Sequence, residues 1–326
     1  MFVEYNTWKE IHQQPRMWLK TYDIVSGMKD EIATFINRYV REGYEIVLTG
    51  AGTSAYIGNA LQWVLAGTLL DKAKAIATTD IITEASSLFN AESKVLLVSF
   101  ARSGNSPESV GAINLVNRTA GKAAHVFITC NEKGKMTAMA DSDPDNTLLV
   151  LLPPETNDLS LAMTSSYSSM FLACAMIANI DKIAEHKAQI EALSQAVEAA
   201  LQKYSEPVGA IADREFTRAV FLGSGELMGV AEESRLKLQE LTDGTVMCTF
   251  DSFLGFRHGP KAVVSPDSLI VYLLSENPAT RRYEYDLIRQ IKANNNVAGY
   301  VAVSQSGTSM EPGTFDLNVT IGVPEW

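Results

Sequence analysis

From residue 45 onward the chain alternates short apolar runs with longer amphipathic ones. Glu45-Ile-Val-Leu-Thr49, residues 73–78, Lys94-Val-Leu-Leu-Val-Ser99, 124–129 and 147–152 are short and almost uniformly apolar, and read as buried strands. Between them 54–67, 80–89, 107–119 and 134–141 read as helices. Such alternation predicts a parallel, doubly wound sheet with right-handed crossovers. Helices at 162–180 and 181–204 then lead away, and the polar Tyr204-Ser-Glu-Pro-Val208 fits a linker. The pattern restarts with a strand at 218–222 and a helix at 226–242. Further strands fit 245–250, 268–274, 297–303 and 316–321, with a helix at 280–293. Residues 1–42 read as helical, anchored by Trp8, Ile11, Trp18 and Leu19 and interrupted at Pro15. The prediction is an α/β protein: two tandem doubly wound parallel-sheet domains, 43–204 and 205–326, behind a helical segment 1–42.

Composition narrows the class. With 326 residues, 46% apolar and 20% charged, the chain can bury two ordinary cores. Its charge balance, 27 − 38 = −11, argues against nucleic acid or an anionic membrane as partner. An anionic substrate must then be held by local dipoles. No apolar run approaches the roughly 20 residues of a membrane span, and Met-Phe-Val-Glu-Tyr lacks the character of a signal peptide. Cys130, Cys174 and Cys248 are far apart in apolar surroundings and read as reduced core thiols of a cytoplasmic protein. His12, His125, His186 and His258 form no ligand-spaced cluster with them, so neither a metal nor another cofactor is expected. The ending Val323-Pro-Glu-Trp326 follows the last expected strand with no covering helix, which reads as a truncation.

Two strand-to-helix turns carry the candidate chemistry. Phe100-Ala-Arg-Ser-Gly-Asn-Ser106 precedes Pro107, a residue suited to the first helical turn. Ser103, Gly104 and Ser106 put hydroxyls and bare amides at a helix N-terminus, where free N–H groups and the macrodipole favour an anion. Taken alone, this is equally an ordinary capped turn, with Ser106 as the cap and Ser109 three residues on. Gly50-Ala-Gly-Thr-Ser-Ala55 tips the balance by repeating the arrangement after another strand, with Thr53 and Ser54 as the hydroxyl pair. Ala55 stands where a GxGxxG fingerprint requires glycine, so a nicotinamide site is disfavoured. Two such loops can converge on one phosphate at the carboxyl edge of the sheet. Gly223-Ser-Gly-Glu226 echoes the first loop. Leu274-Ser-Glu-Asn-Pro-Ala279 instead carries Glu276 where an anion would sit, so the second domain should supply chemistry or structure.

Helix 226–242 places Glu233, Lys237 and Glu240 on one face. A solvated salt-bridge stripe is the plain explanation. Phe256-Arg-His-Gly-Pro-Lys261 follows, with His258 on a turn ahead of a new element. A carboxylate and a histidine meeting near a phosphosugar would suit aldose–ketose interconversion: one base opens the ring, another moves a proton between C2 and C1.

At this point the chain resembles the sugar isomerase (SIS) domain family. Over nearly its full length it is similar to the branch holding tagatose-6-phosphate ketose/aldose isomerases and galactosamine-6-phosphate deaminases. The resemblance rests jointly on 48–55, 98–109, Ala162-Met-Thr-Ser-Ser166, 233–241 and Gly255-Phe-Arg-His-Gly-Pro260. It implies flavodoxin-like SIS domains and a sugar phosphate held by Thr53, Ser54, Ser103 and Ser106; the bulky Arg102 beside Ser103 is expected at the rim, adding charge compensation. Gly52, Thr164 and Ser165 would contact the substrate. Glu240 would be the proton shuttle beside Lys237, and His258, from a second subunit, would open the ring. The isomerase half of glucosamine-6-phosphate synthases shares this pattern, but the sequence reads as lacking their glutaminase domain and closing C-terminal tail, so neither glutamine-derived ammonia nor a tail lysine is expected.

The leading expectation is conversion of galactosamine 6-phosphate to tagatose 6-phosphate and ammonia. A plain tagatose-6-phosphate isomerase comes next, and a non-catalytic sugar-phosphate sensor third. The latter is weakened by the lack of a DNA-binding segment. A homodimer or higher homo-oligomer with shared sites is expected, part of its contact provided by the strongly apolar helix 162–180.

Overall fold

The computed structural model describes residues 5–294, 296–307 and 313–323; Pro324-Glu-Trp326 at the chain's end lie outside them. Two units, Met1–Ser194 and Gln195–Trp326, each carry a five-stranded sheet in which every adjacent pair is parallel.

In the first unit α1 (Asn6–Gly27) and α2 (Lys29–Arg41) precede β1 (Glu45–Thr49). Then come α3 (Thr53–Val64), β2 (Lys74–Ala75), α4 (Thr78–Leu88), β3 (Lys94–Ala101), α5 (Pro107–Thr119), β4 (Lys122–Thr129), α6 (Lys135–Ser142) and β5 (Thr147–Leu151). The sheet order is β2-β1-β3-β4-β5. β3 is buried along its whole length after Lys94, as a central strand covered on both faces must be. Each large apolar side chain it buries contributes about 1.5–3 kcal/mol. The strand expected at 73–78 shortens to two residues, at the edge of the sheet.

After β5 the chain forms α7 (Ser165–Ala178) and α8 (Ile183–Ala212). Here the structure departs from the sequence reading. Pro15 does not interrupt α1; it lies buried inside it. The donor it lacks and its ring clash cost about 3 kcal/mol in an unsupported helix. Tertiary contacts outweigh this: Trp18 Nε1 donates to Ser168 Oγ at 2.9 Å, and Ser194 Oγ donates to the Pro15 carbonyl at 2.9 Å. Of the four expected anchors only Trp18 is buried, joined by Met17, Tyr22 and Val25. Pro207 likewise lies inside α8, which runs straight through the expected linker.

The third departure concerns α7. Eleven of its fourteen residues are buried, Met170, Cys174 and Met176 completely. It packs against α1, α3 and β4 within its own unit. A helix covered on all sides is apolar all round. Its composition therefore gives no reason to expect a partner on it.

In the second unit β6 (Arg218–Leu222), α9 (Glu226–Leu241), β7 (Met247–Asp251), α10 (Phe253–Phe256) and β8 (Ser268–Leu273) lead to α11 (Pro278–Asn294), β9 (Gly299–Ser304) and β10 (Leu317–Thr320). Its order, β10-β9-β8-β6-β7, is that of the first sheet read from the other end, with β6 in the place of β1 and β8 in that of β3. Phe253, Phe256, Tyr272, Leu287 and Ile288 form part of its core. Among the described residues no helix is long and apolar enough to cross a membrane.

Two cysteines, Cys130 and Cys174, are buried, and burial pushes both thiols up to about 12. Cys248 differs from expectation in being only half-buried; burial still pushes its thiol up to about 11. On β4, His125 is buried with Nε2 at 2.8 Å from Asn117 Oδ1, and burial lowers its pKa to about 4. Because the folded value lies below the unfolded one, near 6.5, this histidine favours folding above pH 6.5 and loses that contribution as pH falls toward 4. The loss amounts to about 3 kcal/mol. Urea midpoints measured from pH 7 down to pH 4 should fall over this window in the wild type and less steeply in His125→Gln. Parallel curves would show that other groups govern acid unfolding.

Candidate active site

The turn from β1 into α3 depends on two glycines. A Cβ on Gly50 would lie 2.5 Å from the carbonyl carbon of Ser54, and Gly52 adopts φ 54, ψ −129, open to glycine alone. The chain therefore turns tightly enough to make Thr53 and Ser54 the first two residues of α3, both buried. No acidic side chain occupies that first turn, and its Ser54 and Ala55 amides donate to the carbonyls of Ala51 and Gly52 at 3.1 and 2.8 Å.

β1 and β3 are neighbours in register, Thr49 opposite Ser99, so the turn from β3 into α5 leaves the same edge beside the first. Gly104 has φ 63 there. Ser103 Oγ accepts from the Asn105 amide at 3.3 Å. Ser106 caps α5: its Oγ accepts from the Ser109 amide at 3.1 Å and donates to Ser109 Oγ at 2.8 Å. A phosphate could take that proton without breaking the cap, which uses only a lone pair. The loop after β4 braces the turn: Asn131 Nδ2 donates to the Ser103 carbonyl at 2.8 Å, and the Lys135 amide to Asn105 Oδ1 at 2.9 Å. Thr53, Ser54, Ser103 and Ser106 are thus carried on adjacent loops of one edge. Arg102 is half-buried, and its Nη1 donates to the Ser160 carbonyl at 3.0 Å.

Thr164 and Ser165 sit differently from the loop residues. Thr164 is the N-cap residue of α7, whose end is already filled by the carboxylate of Asp158. That carboxylate accepts from the amides of Thr164, Ser165 and Ser166 at 2.9, 3.2 and 2.9 Å, and from Ser166 Oγ at 2.6 Å. Ser165 is fully buried; its hydroxyl donates to the Glu10 carbonyl and accepts from Gln13 Nε2, both at 2.8 Å. It fastens α1. Glu10 returns the contact, its Oε1 accepting from the amides of Leu159 and Ser160 at 2.6 and 3.2 Å. Sequence reasoning missed Asp158 and Glu10. Asp158 lies six to eight residues from its partners and Glu10 about 150, so neither shows a local capping spacing.

In the second unit, Gly225 has φ 58, ψ −124, and a Cβ on Gly223 would lie 2.2 Å from the Leu227 carbonyl oxygen, so the echo of the first loop extends to its backbone. On α9, Lys237 Nζ lies 3.2 Å from Glu233 Oε1 and 2.8 Å from Glu240 Oε2. The stripe is not solvated. Glu233 is buried, and the side chains of Lys237 and Glu240 keep 18% and 24% of their accessible surface. An ion pair withdrawn this far from water is worth more than an exposed one. His258 lies exposed on the turn between α10 and a short 3₁₀ segment, Pro260–Val263.

Residues 40–180 match the family model described as the SIS domain. The D-galactosamine-6-phosphate deaminase AgaS of Shewanella sp. is 37% identical over 325 residues, covering 98% of this chain and 81% of that protein. The AgaS deaminase of Escherichia coli is 37% identical over 308 residues, 93% of this chain and 79% of its own. The crystal structure of tagatose-6-phosphate ketose/aldose isomerase from Escherichia coli superposes with a TM-score of 0.92 at 34% identity, covering 99% of this chain and 86% of that one.

Proposed function

The chain belongs to the SIS domain family, an enzyme of the phosphosugar isomerase/deaminase kind, and on that premise we propose that it converts galactosamine 6-phosphate to tagatose 6-phosphate and ammonia. The relatives' substrate names support this choice of sugar. The observation that carries the chemistry is the half-buried Glu233–Lys237–Glu240 cluster on α9.

Thr53, Ser54, Ser103 and Ser106 hold the phosphate through hydroxyls and helix-terminal amides, with Arg102 balancing charge. His258, from a second copy of the chain, moves the hydroxyl proton that opens the ring. Glu240 then removes the C2 proton, the electron pair forms the C1–C2 double bond, and the C1 carbonyl oxygen takes up a proton from solvent to give an enaminol. Glu240 returns its proton to C1 while the C2 amine gives one up to solvent, leaving the C2 imine of the ketose. Water adds to that imine, C–N breaks, and ammonia departs. Lys237 offers positive charge to the oxygen on which negative charge develops.

Ammonia release from galactosamine 6-phosphate and from glucosamine 6-phosphate, assayed in parallel on the purified protein, tests this reading. Release from the galactose-series sugar in preference is expected. Ketose formed from tagatose 6-phosphate's aldose partner with no ammonia from either amino sugar would identify a plain isomerase. The same assay on mixed Glu240→Gln and His258→Ala chains should recover activity if two copies share each site; none after confirmed subunit exchange would refute sharing.

A further inference from the structure

The carboxyl edge of the second sheet repeats that of the first, with one difference. β6 and β8 stand in the places of β1 and β3, Gly225 takes the conformation of Gly52, and Pro278 opens α11 as Pro107 opens α5. At this edge the first unit displays hydroxyls. The second places two of its own carboxylates there.

Glu284 of α11 is fully buried. Its Oε2 accepts from the Ser275 amide of the β8–α11 turn at 3.1 Å, and the Ser224 hydroxyl of the β6–α9 turn also bonds to the carboxylate. Glu276 reaches the third loop: its Oε1 accepts from the amides of Gln305 and Ser306 at 3.0 and 3.1 Å, and its Oε2 from Ser306 Oγ at 2.6 Å. Between the two lies Arg281, a buried guanidinium with Nη2 3.0 Å from Glu276 Oε1 and Nε 2.5 Å from the Ser275 carbonyl. Donors from the loops that follow β8, β6 and β9, together with one buried cation, thus converge on two carboxylates.

We propose that Glu276 and Glu284 are a built-in surrogate for a phosphate dianion: the second unit retains the donor set of an anion site and fills it with its own side chains. Two carboxylates supply the same charge of −2 and the same kind of acceptor oxygens as a phosphate monoester. A bare site built around Arg281 would attract the substrate's phosphate away from the productive loops. Filled in this way, each chain keeps one phosphosugar site. The protonation behaviour agrees for Glu276: burial raises its pKa, but the Ser306 hydroxyl, the Ser306 amide and Arg281 outweigh it and hold the carboxyl below its ordinary range. For Glu284 burial wins and the pKa is raised, with Glu226 adding repulsion against Ser224, Ser275 and Arg281. Glu226 itself stands where the first unit has Thr53, a further charge against any external anion.

Calorimetric titration with inorganic phosphate tests the surrogate. Glu276→Ala/Glu284→Ala should bind one more phosphate per chain than the wild type, and the gain should persist when Ser103→Ala/Ser106→Ala are added to remove the first unit's loop. Because Glu284 is fully buried, Glu276→Ala alone is titrated beside it; its side chain is about one-third exposed and its loss should be tolerated. It should gain weaker binding that disappears with Arg281→Met. A folded double variant with no added phosphate, or no gain in Glu276→Ala where the double variant fails to fold, would overturn the proposal. Absence of phosphate binding in the wild type would instead count against the first unit's loops, leaving the gain in the variants to be judged separately.

Discussion

Replacing Ser103 and Ser106 together by alanine is expected to raise KM for the phosphosugar by about 10²–10⁴-fold, since each hydroxyl given to a dianion contributes about 1.5–3 kcal/mol. The effect should fall on KM far more than on kcat, because the phosphate is held alike in ground and transition states. Geometry adds a complication that the experiment can separate. Ser106 also caps α5 through the Ser109 amide, so its loss should cost about 1 kcal/mol of stability. Ser103 caps no helix; its Oγ accepts only within its own turn, from Asn105. Melting curves should therefore move for Ser106→Ala and hardly for Ser103→Ala, while KM rises in both. Steady-state kinetics on the two single variants and the double variant would check this. An unchanged KM in the double variant would remove these loops from the site.

The turns were legible in sequence because glycine pairs act through backbone sterics alone. Gly50/Gly52 and Gly223/Gly225 each combine a close approach that excludes a Cβ with a positive φ, and both pairs produce the same turn. The strands were legible for a similar reason: a run buried on both faces is uniformly apolar whatever its partners. Residues whose role depends on distant partners were not. Pro15 reads as a helix break only until the packing that holds α1 together is known, including the Ser194 bond to its carbonyl. Helix α7 reads as sticky because apolar content does not say which element covers it, and α1 does so. Glu10 and Asp158 look like surface acids, yet they fix the loop ahead of α7. The same limit applies on α9. Spacing put Glu233, Lys237 and Glu240 on one face, but only the packing distinguishes a half-buried cluster from a solvated stripe.

That cluster is the basis for the largest expected effect. A carboxylate can move a carbon-bound proton the short distance from C2 to C1 if it is ionised, partly withdrawn from water and held against the opened sugar. Glu240 meets the second condition by its limited exposure, and Lys237 holds one of its oxygens at 2.8 Å on a regular helix. Glu233, buried beside the same ammonium, limits the positions Lys237 can take. Glu240→Gln preserves the shape and a hydrogen-bonding group but accepts no proton, so kcat should fall by about 10²–10⁴-fold with KM little changed. Lys237→Met should lower kcat less, because it removes charge stabilisation and leaves the base in place. Solvent exchange separates these roles from a general loss of structure. In deuterated buffer the substrate's C2 proton should wash out with wild-type enzyme and with Lys237→Met at a reduced rate, and persist with Glu240→Gln. Exchange continuing at the wild-type rate in Glu240→Gln would assign the proton transfer to another base, and His258 would be the next residue to replace.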